Sequence, residues 1–347
     1  MTQAKRSIVY VSCSKGDCIE ILALDQATGT LSPIDTVALP GNGMPLAHAP
    51  DRRHLYAAVS TTTDDAAVPQ YLTYRIDQAS GALKHLATIQ APGRMSHIAV
   101  DRSGRHLLGA SVSNDLIASH AIEADGRLRA EATQVLTVPS KAHQITTDLG
   151  NRFAFVPNLG GDLVMQLTFD AATGRLADNT PAQIAQPAGA APRHMAHHPN
   201  GRHAYLLNEE NGSIAAFTLD AANGTLTQFQ TDDFLPDGFD GQPWGAQILV
   251  TPDGRFLYTS ERTSSTLTCH AIDPDSGRVT KQHTFPTEAC PRNFALDPAG
   301  RYVIAAGEKS NRVACYAIDP TTGALDLAST IETGAGPLWI EIRAPAQ

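Results

Sequence analysis

Imidazole, guanidinium and carboxylate groups recur at the ends of short apolar segments of this sequence. Those at segment starts are His97, His143, Arg193 and Arg292, and those at the ends of the following segments are Glu209, Arg262 and Lys309. An imidazole exchanges a proton near neutral pH, and guanidinium groups bind anionic oxygens in paired hydrogen bonds. Cations gathered at one place with one or two carboxylates suit an anionic small ligand.

The overall charge and the apolar runs of the chain limit its possible partners. Its 26 Lys and Arg stand against 35 Asp and Glu, a net charge of −9, which argues against a nucleic-acid partner. The apolar runs are shorter than the ~18–20 residues of a membrane helix, so no membrane partner is expected. The polar start, Met1 to Arg6, leads into an apolar run too short for a signal peptide, which predicts a cytoplasmic protein.

A repeat of about fifty residues organises the elements that carry these side chains. Each unit has a D/N-G-R turn, a short strand, an alternating strand and a T-G-x-L turn. Successive second-turn glycines lie 45 to 53 residues apart, at Gly29, Gly81, Gly126, Gly174, Gly224, Gly277 and Gly323. Seven such units indicate a repeat architecture.

Each unit is predicted to form four strands. Segments such as Leu267–Ile272 alternate with period two, and stretches with helical periodicity are scarce. Four-stranded units of this length are typical of propeller blades. We therefore predict an all-β, seven-bladed β-propeller that forms a single domain over residues 1–347.

The two chain ends are predicted to complete one blade together. The chain begins with a second strand, residues 7–13, that has no preceding inner strand, and it ends with an inner-type segment, residues 337–343. Pairing them closes the ring and removes two strand edges. We expect the loss of residues 336–347 to unfold the protein.

The predicted topology brings the charged residues together. Inner strands begin on the rim where second strands end, so both sets of residues converge on one mouth of the central channel. Trp244, before the sixth inner strand, joins them there. The sequence therefore predicts a cationic pocket at this mouth.

At this point the sequence resembles the bacterial seven-bladed propeller lactonases of the 6-phosphogluconolactonase type, relatives of the fungal muconate-lactonizing enzymes. The most specific match is Ala191–Pro199, with Glu209 sixteen residues after Arg193. Supporting segments are Trp244, residues 261–264, 291–294, 306–310 and 336–339. Two departures are Gln144 after His143, where relatives have Ser, and Glu261 before Arg262, where they tend to have Asp.

The resemblance places the catalytic residues at His143, Arg193, Glu209 and Arg262. His143 would be the general base, Arg193 and Arg262 would bind anionic oxygens, and Glu209 would orient an arginine or the water, or share the acid–base work. The residues predicted to bind substrate or line the pocket are His97, Trp244, Arg292 and Lys309.

No metal or other cofactor is predicted. His194, His197, His198 and His203 cluster in the sequence, but neighbouring positions on a strand point to opposite faces, which separates His197 from His198. The five cysteines contain no C-x-x-C pair and are predicted to be free, buried thiols.

The leading functional hypothesis is hydrolysis of 6-phospho-D-glucono-1,5-lactone to 6-phosphogluconate in the pentose phosphate pathway, by a carboxylic ester hydrolase acting as a monomer. One alternative is an enzyme for an unphosphorylated aldonic or aldaric lactone, or a muconate cycloisomerase. Another is a non-catalytic propeller that binds proteins. The clustering of charge at channel-facing strand starts, and the absence of a W-D signature, argue against the last.

Overall fold

The computed structural model describes residues 6–63 and 66–345, and within them the chain forms strands and no helix. The predicted all-β fold is confirmed. The polar segment considered for targeting lies outside the described residues, except for Arg6.

Twenty-eight strands form seven four-stranded antiparallel sheets, the blades. Blade 1 contains β1 (Arg6–Cys13), β2 (Cys18–Asp25) and β3 (Leu31–Ala38); blade 2 contains β4 (Asn42–His48), β5 (His54–Thr63), β6 (Ala66–Ile76) and β7 (Leu83–Gln90). Blade 3 contains β8 (His97–Val100), β9 (His106–Ser111), β10 (Leu116–Ala121) and β11 (Gln134–Thr137); blade 4 contains β12 (Thr146–Thr147), β13 (Phe153–Asn158), β14 (Leu163–Asp170) and β15 (Arg175–Ala185). Blade 5 contains β16 (Pro192–His197), β17 (His203–Asn208), β18 (Ser213–Asp220) and β19 (Thr225–Asp233); blade 6 contains β20 (Gly245–Val250), β21 (Phe256–Glu261), β22 (Thr266–Ile272) and β23 (Val279–Pro286). Blade 7 contains β24 (Pro291–Leu296), β25 (Tyr302–Gly307), β26 (Arg312–Ile318) and β27 (Leu325–Glu332), and β28 (Pro337–Arg343) returns to blade 1.

The last strand closes the ring as the sequence predicts. The strand order of blade 1 is β28-β1-β2-β3, and β28 pairs with β1 from Ile8 opposite Arg343 to Cys13 opposite Pro337. The two ends of the described chain therefore share one sheet, and the seven-bladed propeller is confirmed.

The repeated turn glycines have a conformational reason. All seven have φ between 67° and 87°, in the left-handed region that glycine adopts without a Cβ penalty. In several blades the carbonyl of this glycine also accepts a hydrogen bond from a buried tyrosine of the preceding blade. Examples are Tyr10 Oη to Gly81 O at 2.8 Å and Tyr258 Oη to Gly323 O at 2.7 Å.

The hydrophobic core lies between neighbouring blades rather than at the centre of the ring. One cluster joins Tyr10 and Ile21 of blade 1 to Leu55 and Leu72 of blade 2, and equivalent clusters follow around the ring. All five cysteines are free and buried, as predicted. Because the apolar side chains pack between blades, the channel is left to polar side chains.

Candidate active site

β-Bulges at the start of inner strands present two of the arginines of this site, Arg193 and Arg292. In β16 the register against β17 shifts between Pro192 and His194, which makes Arg193 the extra residue. In β24 the same shift falls between Pro291 and Asn293, around Arg292. Bulges re-aim a side chain and are frequent next to active sites. Two equivalent bulges thus place a guanidinium at the same level of blades 5 and 7.

His143 is held at the same mouth by its backbone and its neighbour. Its N–H donates to the carbonyl of Pro157 at 3.0 Å. Gln144 crosses to blade 5, where its Oε1 accepts from Met195 N at 2.6 Å and its Nε2 donates to Met195 O at 3.3 Å. The departure from the family pattern at Gln144 therefore has a structural role, because it joins this segment to β16.

Glu209 joins two buried arginines. Its Oε2 lies 2.7 Å from Arg193 Nε and 2.9 Å from Arg262 Nη2, and its Oε1 accepts from Trp244 Nε1 at 3.2 Å. The two guanidinium side chains are each 2% exposed, whereas Glu209 is 12% exposed. The Glu209 carboxylate therefore offsets the buried positive charges of both arginines.

The loop before β20 completes the arrangement. Arg262 donates from Nε to Trp244 O at 3.1 Å and from Nη2 to Gly245 O at 2.8 Å, and its guanidinium lies 3.9 Å from the centre of the Trp244 ring. Glu261 accepts from Trp244 N at 2.7 Å and from Ser264 Oγ at 2.7 Å, so it fixes both loops. Lys309 Nζ lies 5.9 Å from the same indole ring.

Arg193 is held from below by a second chain of contacts. Its Nη1 donates to the carbonyl of Ala246 and lies 3.4 Å from His194 Nε2. His194 Nδ1 lies 2.8 Å from Gln247 Oε1, which accepts from Ile248 N as well. His194 therefore carries its proton on Nδ1 and presents Nε2 to Arg193 as an acceptor.

These groups surround a cavity of about 380 Å³ at the predicted mouth. Its wall includes the predicted residues His143, Glu209, Trp244, Arg262 and Arg292. Arg193 does not line it, because this side chain lies buried beneath Glu209. The geometry gives Arg193 a supporting position and leaves Arg262 and Arg292 beside the cavity.

His97 lies deeper in the channel than the sequence suggests. Its ring packs edge-to-face between His194, at 5.7 Å, and Trp339, at 5.5 Å. It lines a second cavity of about 450 Å³ formed where inner strands end, with His48, Arg52 and Glu341. His97 therefore does not contribute to the wall of the first cavity.

Burial controls the protonation of the channel histidines. It lowers the pKa of His143 well below the ordinary value of 6.5, and the Arg193 guanidinium acts in the same direction. Burial and Arg193 also lower the pKa of His97, to about 3. Both imidazoles are consequently neutral at physiological pH, and His143 Nδ1 has no hydrogen-bond partner within the described residues.

Five further polar residues line the first cavity and were not predicted from the sequence as site residues: Arg94, Ser96, Ser113, Lys141 and Glu210. Arg94 lies three residues before His97, and Lys141 lies two residues before His143. Their closeness in sequence to His97 and His143 could have indicated that they lie at the same mouth of the channel. Within the described residues, no group of three or more His, Cys, Asp or Glu side chains is placed to hold a metal ion.

Fold and site together define a seven-bladed β-propeller with a cationic small-molecule pocket at one mouth of its channel. The profile of the family described as "Lactonase, 7-bladed beta-propeller" matches residues 8–342. The chain belongs to this family, and the predicted lactonase class is confirmed.

Relatives and solved structures agree along the whole chain. It is 38% identical to a 6-phosphogluconolactonase of Pectobacterium carotovorum, over 98% of this chain and 99% of the relative. It is 36% identical to a 6-phosphogluconolactonase of Serratia proteamaculans, with the same coverage. The crystal structure of a periplasmic gluconolactonase of Pseudomonas aeruginosa superimposes with a TM-score of 0.89 at 28% identity, covering 98% of this chain and 99% of that one.

Proposed function

We propose that this protein hydrolyses 6-phospho-D-glucono-1,5-lactone to 6-phosphogluconate, and that His143, Glu209, Arg262 and Arg193 form its catalytic centre. The observation that carries the proposal is the Glu209 carboxylate bridging Arg193 and Arg262 beside the neutral, cavity-lining His143. The choice of substrate rests on the relatives named 6-phosphogluconolactonase.

The chemistry follows from the position of each group. His143 accepts a proton from water, whose oxygen bonds to the lactone carbonyl carbon. The oxyanion that forms is stabilised by the guanidinium groups of Arg262 and Arg292, which face the cavity. When the intermediate collapses, the bond from the carbonyl carbon to the ring oxygen breaks, and the ring oxygen takes the proton back from His143.

Glu209 and Arg193 act through the groups beside them. The Glu209 carboxylate forms ion pairs with two guanidinium groups and accepts a hydrogen bond from the Trp244 indole, which favours an orienting role over proton transfer. Arg193 holds Glu209 from beneath, and Glu209 in turn fixes Arg262 against Trp244. In this proposal Arg193 and Glu209 are positioning residues for Arg262.

The second candidate is hydrolysis of unphosphorylated gluconolactone. The observation that favours it is the likeness to the Pseudomonas aeruginosa gluconolactonase. That protein is described as periplasmic, so the two candidates also differ in compartment.

The deciding experiment compares freshly prepared 6-phosphogluconolactone with gluconolactone and galactarolactone, after subtraction of the spontaneous rate. We expect the highest kcat/KM on the phosphorylated lactone and a loss of activity in folded His143→Ala. Turnover of the unphosphorylated lactones alone would favour the second candidate. Normal turnover by His143→Ala would refute the assigned base.

The proposal includes a monomeric enzyme that acts in the cytoplasm on a small anionic sugar lactone. In the described part of the chain, no helix is long and apolar enough to cross a bilayer. Light scattering of the purified protein and fractionation of the native host test the oligomeric state and the compartment.

A further inference from the structure

Two cations of the first cavity have no part in the proposed chemistry. Arg94 lies before β8 and Lys141 lies before His143, and both are exposed at the outer part of the cavity wall. They belong to blades 3 and 4, and Glu209 belongs to the adjacent blade 5. The cavity therefore carries two positive charges from blades 3 and 4 in addition to the group built around Glu209.

Neither of these cations is neutralised by an ion pair. In residues 6–63 and 66–345, no side-chain carboxylate oxygen lies within 4.0 Å of the charged nitrogens of Arg94 or Lys141. By contrast, Arg262 is paired with Glu209, and Arg292 lies 3.9 Å from Glu308. On a protein of net charge −9, two unpaired cations on one cavity wall mark a place for an anion.

One turn holds the backbone of both residues. Asn114 Oδ1 accepts from Arg94 N at 3.0 Å, and Asp115 Oδ1 accepts from Lys141 N at 2.6 Å. Asn114 is itself fixed, because its Oδ1 also accepts from Ser111 Oγ at 3.0 Å. The turn between β9 and β10 thereby links the two cation positions, while Asp115 bonds a backbone N–H rather than the Lys141 ammonium.

The serines beside the two cations supply hydroxyl donors. Ser96 and Ser113 line the same wall as Arg94 and Lys141. Ser96 Oγ accepts from Val112 N at 3.0 Å, which fixes its position at the cavity. Two cations with two hydroxyl groups are a suitable set of donors for phosphate oxygens.

We propose that Arg94 and Lys141 bind the phosphate of the substrate and give the enzyme its preference for a phosphorylated lactone. A phosphate monoester carries a charge of about −1.5 to −2 at pH 7. In the proposed substrate it lies on C6, outside the lactone ring, so it can contact Arg94 and Lys141 while the carbonyl carbon C1 faces His143 in the same cavity. This inference rests on the proposed function and names the group that selects its substrate.

The test compares both lactones in Arg94→Ala, Lys141→Ala and the double variant. Each single change should raise KM for 6-phosphogluconolactone about tenfold or more, because a charge-assisted contact is lost. The kcat/KM for gluconolactone should stay within about twofold of the unsubstituted enzyme. Arg94→Lys, which keeps the charge, should restore most of the affinity lost in Arg94→Ala.

Arg53→Ala is the matched control. Arg53 is an exposed arginine in the turn between β4 and β5, at the other rim of the propeller, and its removal changes the net charge equally. The inference is wrong if the double variant raises KM for the phosphorylated lactone no more than this control does. It is also wrong if both lactones lose activity in parallel.

Calorimetry with 6-phosphogluconate separates this inference from the proposed function. If the protein turns over neither lactone, the proposed function fails, yet the phosphate subsite is still tested by binding. Binding that is weakened tenfold or more in the double variant supports the subsite. Absence of binding, or equal binding by the double variant, overturns it.

Discussion

At the scale of single residues, Glu209 neutralises buried positive charge, whereas its neighbour Glu210 does not. Both line the cavity, but Glu209 alone bridges two guanidinium groups that are each 2% exposed. A buried charge without a partner is costly, whereas a solvated carboxylate contributes little. The pair therefore offers a matched comparison.

We expect Glu209→Gln to lower the free energy of unfolding by about 3–5 kcal/mol, since it leaves Arg193 and Arg262 without a counter-charge. It should also reduce kcat strongly, because Arg262 loses its fixed position. Glu210→Gln should change stability by less than about 0.5 kcal/mol. Urea unfolding and lactone turnover measure the two effects, and equal behaviour of the two variants would contradict the assignment.

A second prediction at this scale concerns pH. Burial and Arg193 lower the pKa of His143 well below 6.5, so its neutral, proton-accepting form persists as the pH falls through 6.5. We expect kcat/KM on gluconolactone, corrected for spontaneous hydrolysis, to be constant between about pH 6 and pH 7.5. An acid limb centred on pH 6.5 would show instead that the catalytic base has an ordinary imidazole pKa.

The residues of the site were predictable from sequence only in part. His143, Arg262 and Glu209 occupy repeat positions that converge on one rim, so a blade alignment finds them. The burial of Arg193 beneath Glu209 depends on a bulge in β16 and on contacts with Ala246 from another blade. Arg94 and Lys141 were not predicted, because the side chains of a distant turn, Asn114 and Asp115, hold their backbone N–H groups at the cavity.

At the scale of elements, ring closure rests on the single strand β28. It supplies the inner strand of blade 1, pairs with β1 and contributes Leu338 and Ile340 to the clusters on either side of that blade. Its burial was predictable because residues 337–343 are apolar and the first blade lacked an inner strand. Removing β28 leaves both faces of blade 1 partly uncovered.

A chain that ends at Gly336 should therefore fail to accumulate as a soluble, cooperatively unfolding protein. A chain that ends at Arg343 keeps the strand and is the control, which should melt within a few degrees of the full-length protein. Soluble yield and thermal unfolding measure the difference. Normal folding of the shorter chain would mean that blade 1 is stable as a three-stranded sheet.

At the scale of the whole molecule, buried histidines make stability depend on pH. Burial lowers the pKa of His97 to about 3 and those of His120 and His197 to about 4. In the unfolded chain the same groups titrate near 6.5. Because the unfolded state binds these protons first, stability is full above pH 6.5 and falls as the pH decreases from about 6.5 toward 4.

We expect the urea midpoint to decrease steadily from pH 7 to pH 5. Each such histidine contributes at most about 1.4 kcal/mol per pH unit in that range. His120→Gln should reduce the slope, because it removes one of the buried groups without touching the cavity. A midpoint that is constant or rises over this range would show that these imidazoles are protonated or solvated in the folded protein.

The fold as a whole could be predicted from the sequence because the same pattern of strands and turns occurs in it seven times. The second-turn glycines have positive φ in every blade, so each unit repeats one conformational requirement. What a repeat does not show is how blades differ. In blade 4, for example, β12 is shortened to Thr146–Thr147, and the nearby Gln144 accepts a hydrogen bond from Met195 N of the next blade.

The pairing of β28 with β1 has a consequence for biosynthesis. Strand β1 leaves the ribosome early, but its partner is made only after residue 336. At about 5–20 residues per second, translation of the intervening chain takes roughly 15–65 s. Throughout that interval the inner edge of β1 has no native partner, and an unpaired edge invites pairing with other chains. The first blade of the nascent polypeptide therefore keeps an unpaired strand edge until β28 has been made, and the ring can close only after that.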